Sequence, residues 1–194
     1  MKQWIRGAGA ALLALGLVGG VQAAVANYAI DAAHSSVLFS VDHAGWARVF
    51  GSFRKVEGEL NYDPANPAAG KVKVRVAADS IFTNNTKRDQ HLASPDFFNA
   101  AEFPEISFES TGVTLKDARN AVLKGNLTLL GVTKPVQLAL TLNAVQPDSF
   151  TKQTKAGFSL RGTVKRSDFG MTYSIPRVSD EVELIIEIES VQQQ

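Results

Sequence analysis

Apolar and polar residues alternate with a period of two over most of the chain from about residue 28 onward. The plainest case is 71–76, where Val72, Val74 and Val76 fall on one face and Lys71, Lys73 and Arg75 on the other. Period two with one wet face is the signature of an antiparallel sheet. The same rhythm places Val56, Gly58, Leu60 and Tyr62 opposite Glu57, Glu59 and Asn61 in a strand over 53–62. It aligns Val136, Leu138, Leu140 and Leu142, then Ala156, Phe158, Leu160, Gly162 and Val164 within 155–165. It aligns Val182, Leu184, Ile186 and Ile188 within 181–189. A first strand runs from near Tyr28 to about Asp42, and further strands cover 106–110 and 122–130.

Turn residues separate these runs. Asp63, Pro64, Asn66 and Pro67 make one connection, because proline presets φ and Asp and Asn bond the local backbone. Residues 131–135 join two strands as a hairpin, and Gly45 and Gly51 bracket a passage read as bent or bulged. The sum is about eight strands with no βαβ rhythm and no internal repeat, which predicts a sandwich or a barrel. Eight strands is the number at which an up-and-down barrel just holds one ligand. Small residues at inward positions, Gly58, Gly125, Ala156 and Gly162, favour a hollow barrel over a filled sandwich.

Only residues 83–98 break the alternation. Thr83 or Asn84 caps a short helix reaching about Leu92, and Ser94 before Pro95 marks a second helical start. The prediction is a helical insertion over about 84–99. It gathers Arg88, Asp89 and His91 and ends in Phe97 and Phe98. Two roles fit the polar set. An arginine fork to a carboxylate or to carbonyls would fasten the insertion to the barrel. Alternatively Asn84, Asn85, Arg88 or His91 bonds the head of a ligand whose tail lies inside.

The first residues belong to a different layer of information. Lys2 and Arg6 precede an apolar run over 8–18, too short to span a membrane, and small residues follow. We read 1–23 as a cleaved export signal, with 26 as the alternative end, and 24–194 as one domain in the periplasm. The 20 basic residues less Lys2 and Arg6 leave 18 against 19 acidic, with no basic run. Nucleic acid and anionic membrane surfaces are therefore poor partners, and no stable membrane span is expected. The absence of cysteine removes disulfides, thiolate metal sites and Cys nucleophiles. His34, His43 and His91 show no metal-ligand spacing, and no metal is expected. Asp31, His34 and Ser35 have triad residue types, but on a strand 34 points away from 31 and 35, and no G-x-S-x-G is present.

With these segments placed, several motifs stand in order along the chain. They are Asp31, His34 and Ser35 followed by Val37, Phe39, His43 and Gly45; Gly51, Phe53 and Gly58; and Thr83, Asn84, Arg88, Asp89, His91 and Leu92 with Ser94, Asp96, Phe97 and Phe98. Pro104 with Phe108 and Ser110, Gly125 through Thr128, Gly131 through Val136, Ser167 through Gly170, and Val182 with Leu184 complete the set. The chain resembles the YceI-like family of exported, lipocalin-like, polyisoprenoid-binding proteins. The resemblance implies an eight-stranded antiparallel lipocalin-like β-barrel around an apolar tunnel, with the short helix near its opening. It implies a long-chain isoprenoid lipid, such as an isoprenoid quinone, as ligand, held for storage or transport; it establishes no turnover, and we expect neither an enzyme nor a further cofactor. The expected wall is Phe39, Val41, Phe50, Phe53, Leu60, Phe97, Phe98, Phe108, Leu129 and Phe158. His43, Asn84, Arg88, Asp89 and His91 are the candidate head-group or lid contacts. The alternative is an enzyme acting on such a lipid or a quinone head with Asp89 and His91 as acid and base. Dimerisation is left open, and residues 171–180 have no assigned place.

Overall fold

A computed structural model describes residues 25–194, so the export signal expected at 1–23 lies outside the described residues. The strands are β1 (Ala26–Ile30), β2 (Ser36–His43), β3 (Ala47–Phe53), β4 (Val56–Tyr62), β5 (Lys71–Ala77) and β6 (Ile81–Phe82), then, after helix α1 (Thr86–Ala93), β7 (Glu105–Leu115), β8 (Asn120–Leu129), β9 (Val132–Pro147), β10 (Thr154–Lys165) and β11 (Glu181–Gln192). All pairings among them are antiparallel.

These segments assemble into eight staves, because three staves are interrupted. β1 and β2 both pair with β11, through Tyr28–Ile30 and Ser36–Ser40 respectively, so together they form one stave. β3 and β4 form the next, and β5 and β6 the third. β1 pairs with β4 on one side and β11 on the other, which closes the sheet into a barrel. Closure leaves the sheet edge unpaired only where β6 parts from β7, and it gives each stave a wet face and a core face.

The interruptions are where sequence and structure differ. The expected strand from 28 to 42 breaks at 31–35, where Asp31 turns the chain by accepting from the Ala33 amide (3.0 Å). The passage expected to bulge after Gly45 is regular. The β2–β3 ladder runs unbroken from Val37↔Phe53 to His43↔Ala47, and Ala44 and Gly45 form a tight turn with φ of 56° and 73°. The true irregularities fall at Arg54 and Lys55, between Ser110 and Gly112, and between Gly157 and Phe158. The hairpin expected over 131–135 turns earlier, on Leu130 and Gly131, both at positive φ. That geometry suits the right-handed twist of the flanking strands. Pro135 sits within β9, opposite Asn126.

The interrupted third stave shapes one end of the barrel. β5 pairs with β7 through Lys73–Ala77, but β6 turns away to pair with β3. α1 packs against β6 there, and the Ala78 amide bonds the Pro104 carbonyl just before β7. The same end carries the β2–β3, β8–β9 and β10–β11 connections, since the up-and-down order alternates the turns between ends. We call it the helix end.

Two packed clusters fill the wall. Tyr28, Leu60, Tyr62, Leu123, Leu138, Ala156, Phe158 and Leu160 are buried in the barrel's body. Leu129, Phe169 and Met171 are buried at the helix end, with Phe97 and Phe98 against them. The inward glycines are covered, not empty. A Cβ on Gly125 would lie 2.2 Å from the Phe108 ring, and one on Gly162 would lie 2.5 Å from Leu138. Each glycine makes room for a neighbour's side chain.

Candidate functional site

The barrel encloses a cavity of about 640 Å³ reaching toward both ends. Its wall consists of the inward positions of every stave. At about 30 Å³ per atom, the share of a water molecule in the liquid, the space holds on the order of 20 heavy atoms. A volume in the range of roughly 300–1,000 Å³ with mostly apolar walls is that of a small-molecule or lipid site.

Of the ten wall residues expected from the sequence, nine line the cavity: Phe39, Val41, Phe53, Leu60, Phe97, Phe98, Phe108, Leu129 and Phe158. Phe50 does not. On β3 the inward positions are Val49, Gly51 and Phe53, so Phe50 faces outward and is 55% exposed. The one-residue difference is the period-two rule at work: a strand without the expected bulge sends 50 to the other face. Phe39, Phe53 and Phe98 form a chain of ring contacts along the wall, with centroids 5.9 and 5.4 Å apart.

The insertion is fastened at its root. Asn85, not Thr83 or Asn84, caps α1: its side chain accepts from the Arg88 amide at 3.0 Å. Asn84 has a φ of 59°, which turns the chain into that cap. Thr83 is buried, and both charged residues close on it. Arg88 donates from Nε to Thr83 Oγ1 and from Nη2 to the Thr83 carbonyl, each at 2.7 Å. Asp89 Oδ1 accepts from the Thr83 amide (2.8 Å) and hydroxyl (2.5 Å). Arg88 and Asp89 thus act on the same residue at the end of β6, which is the fastening role. Ser94 is the helix's C-cap, its amide bonding the His91 carbonyl, and a turn follows in place of a second helical start.

Asp89 and His91 do not form a pair. Asp89 is spent on Thr83 and stays outside the cavity wall, as does Asn84. His91 Nε2 bonds Asp96 Oδ2 at 2.8 Å, and its ring packs edge-on against Phe97 and Tyr173, 5.1 and 5.4 Å away. His91, Arg88 and His43 do line the helix-end mouth of the cavity.

Residues 166–180 complete that mouth. Arg166 is 3% exposed and donates to four carbonyls, those of Met171, Tyr173, Val178 and Ser179, at 2.9–3.1 Å. Burial pushes its pKa below the ordinary arginine value, with Asp180 opposing. Asp180 accepts the amide and hydroxyl of Ser167, which lowers its own pKa. The loop so formed brings Tyr173, Ser174, Arg177 and Val178 to the mouth. A signal for Arg166 was available: it is the next inward position after Gly162 and Val164 in the period-two series. For Arg177 no pattern existed to find it.

A second polar cluster lies at the break between β1 and β2. His34 Nδ1 bonds Asp31 Oδ2 at 2.8 Å, so the two do meet, on a turn rather than a strand. The bond lowers the Asp31 pKa and raises that of His34. Ser35 is elsewhere engaged, its hydroxyl exchanging bonds with the backbone of Glu189 at 3.1 Å. No serine therefore faces this pair. Asp31, His34 and Glu189 place ligand atoms within 4.8 Å of one another, but Lys155 Nζ sits 2.6 Å from Glu189 Oε1, an ammonium that neutralises the carboxylate and repels a cation.

The YceI-like domain model matches residues 28–190. Protein YceI of Salmonella arizonae is 41% identical over 173 residues, covering 88% of this chain and 90% of that protein. The crystal structure of Burkholderia cenocepacia BcnA superposes with a TM-score of 0.75 at 21% identity, over 82% of this chain and 98% of that one. A polyisoprenoid-binding domain from Saccharophagus degradans, implicated in plant cell wall breakdown, superposes with a TM-score of 0.65 at 14% identity, over 86% of this chain and 98% of that one.

Proposed function

The chain belongs to the YceI-like domain family, and from that premise we propose that it is an exported, periplasmic binding protein. Its barrel takes up a polyisoprenoid, an isoprenoid quinone or a similar long-chain amphiphile, for storage or transport. The observation that carries this reading is the closed barrel around about 640 Å³ of apolar-walled space. The polyisoprenoid-binding description of the Saccharophagus domain, which has the same barrel, supports the ligand class. The basic, apolar and small-residue pattern of 1–23 supports export. Among the described residues no helix is long and apolar enough to cross a membrane.

The mechanism is solvation. A tail moving from water into the lumen gains about 0.8 kcal/mol for each buried CH₂, or about 16 kcal/mol gross for about 20 carbons. Association and chain ordering subtract roughly 4–15 kcal/mol. The balance permits exchange with a membrane and needs no covalent step. The acid–base pair on which the enzymatic alternative depended is not assembled, since Asp89 holds Thr83 and His91 holds Asp96.

Native mass spectrometry of protein purified from its host tests the carrier reading. The expected result is a co-purifying prenyl lipid, or uptake of one by the delipidated protein. An empty barrel that takes up no prenyl lipid would overturn the reading.

A further inference from the structure

The connections at the helix end expose large apolar side chains beside the lumen. Trp46, which closes the β2–β3 turn, is 86% exposed, and Tyr173 and Ile175 of the loop after β10 are exposed as well. Hydrogen bonds join these two connections into one surface. The Ala44 amide donates to the Arg177 carbonyl at 2.8 Å, the Asp42 amide donates to Ser179 Oγ at 3.0 Å, and His43 and Val178 form a single β-bridge. Tyr173 both lines the cavity and reaches solvent, so the apolar surface continues from the outside into the lumen.

The opposite end exposes Val25, Leu115 and Phe150. They stand on three separate segments, and no hydrogen bond joins those segments among the described residues. Phe150 also lies off the cavity wall. It is an isolated exposed ring, whereas Trp46, Tyr173 and Ile175 share a platform. The charges around that platform are mixed. Arg48 pairs with Glu183 at 2.9 Å, Asp42 accepts the Gly45 amide, and Arg177 belongs to the loop itself.

Resting on the carrier reading above, we propose that this platform docks on the surface of a neutral phospholipid bilayer and sets the mouth against the layer in which a polyisoprenoid is dissolved. A tryptophan left almost wholly in water gains by entering the headgroup region, where its ring is covered and its indole N–H keeps a polar partner. Tyrosine behaves likewise. Scattered exposed apolar residues are ordinary, but a contiguous aromatic patch at the mouth of a lumen marks an interaction site. The ligand's chemistry selects the occupant. A long apolar tail that crosses open water exposes its whole length, and docking removes that crossing. Residues 24–194 are close to neutral, so attraction to anionic lipid is not the driving force. Only a few side chains enter the interface, which keeps the attachment reversible, as a carrier requires.

Trp4 and Trp46 are the two tryptophans of the chain, and Trp4 falls within 1–23, so residues 24–194 carry a single fluorescent reporter, placed on the platform. Phosphatidylcholine vesicles are expected to shift its emission to the blue, and acyl-brominated lipid in them is expected to quench it. Trp46→Ser, at an exposed turn position, is expected to lower vesicle partitioning about tenfold in a sedimentation assay. It is also expected to slow geranylgeraniol uptake from vesicles while leaving uptake from detergent micelles and the melting temperature unchanged. Phe150→Ser is expected to alter none of these. Uptake from micelles with no blue shift on vesicles would overturn the docking and leave the carrier reading intact. So would vesicle binding that Phe150→Ser weakens and Trp46→Ser does not. Binding that requires phosphatidylglycerol, or that falls as salt is added, would make the contact electrostatic and refute the apolar platform. Vesicle binding with no geranylgeraniol uptake from either source would remove the carrier reading, and with it the transfer that docking serves.

Discussion

Thr83 and Arg166 show how single residues hold the helix end together. Thr83 is gripped by Arg88 and Asp89 from the first turns of α1, and Arg166 gathers four carbonyls of the loop after β10. Both are side-chain-to-backbone arrangements, which suits segments whose carbonyls have no strand partner. Arg166→Gln removes most of the donors while the carbonyls stay buried. The expected cost is about 2–4 kcal/mol, read from the urea midpoint, because unsatisfied buried acceptors keep their full desolvation penalty. A loss under about 0.5 kcal/mol would mean that water substitutes for the guanidinium. Arg88, Asp89 and Phe97 were legible as a set from the sequence. Their partner Thr83 was visible only as a capping candidate, because a bond across five or six residues leaves no periodic trace.

The elements obey one rule, alternation, and depart from it at defined points. Strands β4, β5, β8, β9, β10 and β11 face inward at the positions that the sequence pattern assigns. What the pattern did not reveal was the location of breaks. Asp31, Arg54 and Gly112 mark real irregularities, and Gly45 marks an ordinary turn. The β7–β8 pair gives a test of how rings and glycines share the wall. Gly125 lies under Phe108, and a Cβ there would meet ring atoms at 2.2 and 2.4 Å and the Glu109 carbonyl at 2.7 Å. Gly125→Ala is expected to destabilise the protein by about 1–3 kcal/mol and to reduce lipid uptake by driving Phe108 into the lumen. Unchanged thermal stability with unchanged uptake would show that the ring has somewhere else to go.

The whole molecule is a closed sheet with polar connections at both ends, and its response to pH follows from those ends. Asp117 and Asp148 at one end and Asp180 at the other have lowered pKa values, each first through a backbone amide: Arg119, Thr151 and Ser167 respectively. A folded-state pKa below the unfolded one means that the unfolded chain binds more protons as pH falls. Their contribution is therefore present above the unfolded carboxylate range, near pH 4, and is lost as pH drops through the folded values. His34 runs the other way: its pKa is raised by Asp31, so its contribution is present below the unfolded value and is lost as pH rises past the folded one. Urea midpoints measured from pH 5 down to pH 2.5 are expected to fall steadily. A flat acid limb would mean that these turns stay ordered when their carboxylates are neutral.

From the residues alone, the barrel, its stave number, the inward faces and the helical insertion could be derived, because each rests on local periodicity or capping chemistry carried along a single segment. The cavity wall followed with one exception, Phe50, where a bulge was expected and a regular strand occurs. Only the tertiary structure decided which residues meet at the two mouths. It brought 166–180 against α1, left Arg177 unpaired and set Asp117 at the far end, and none of these depends on neighbours in sequence. Barrel closure placed them, since it assigns every second connection to the same end regardless of what residues the connections contain.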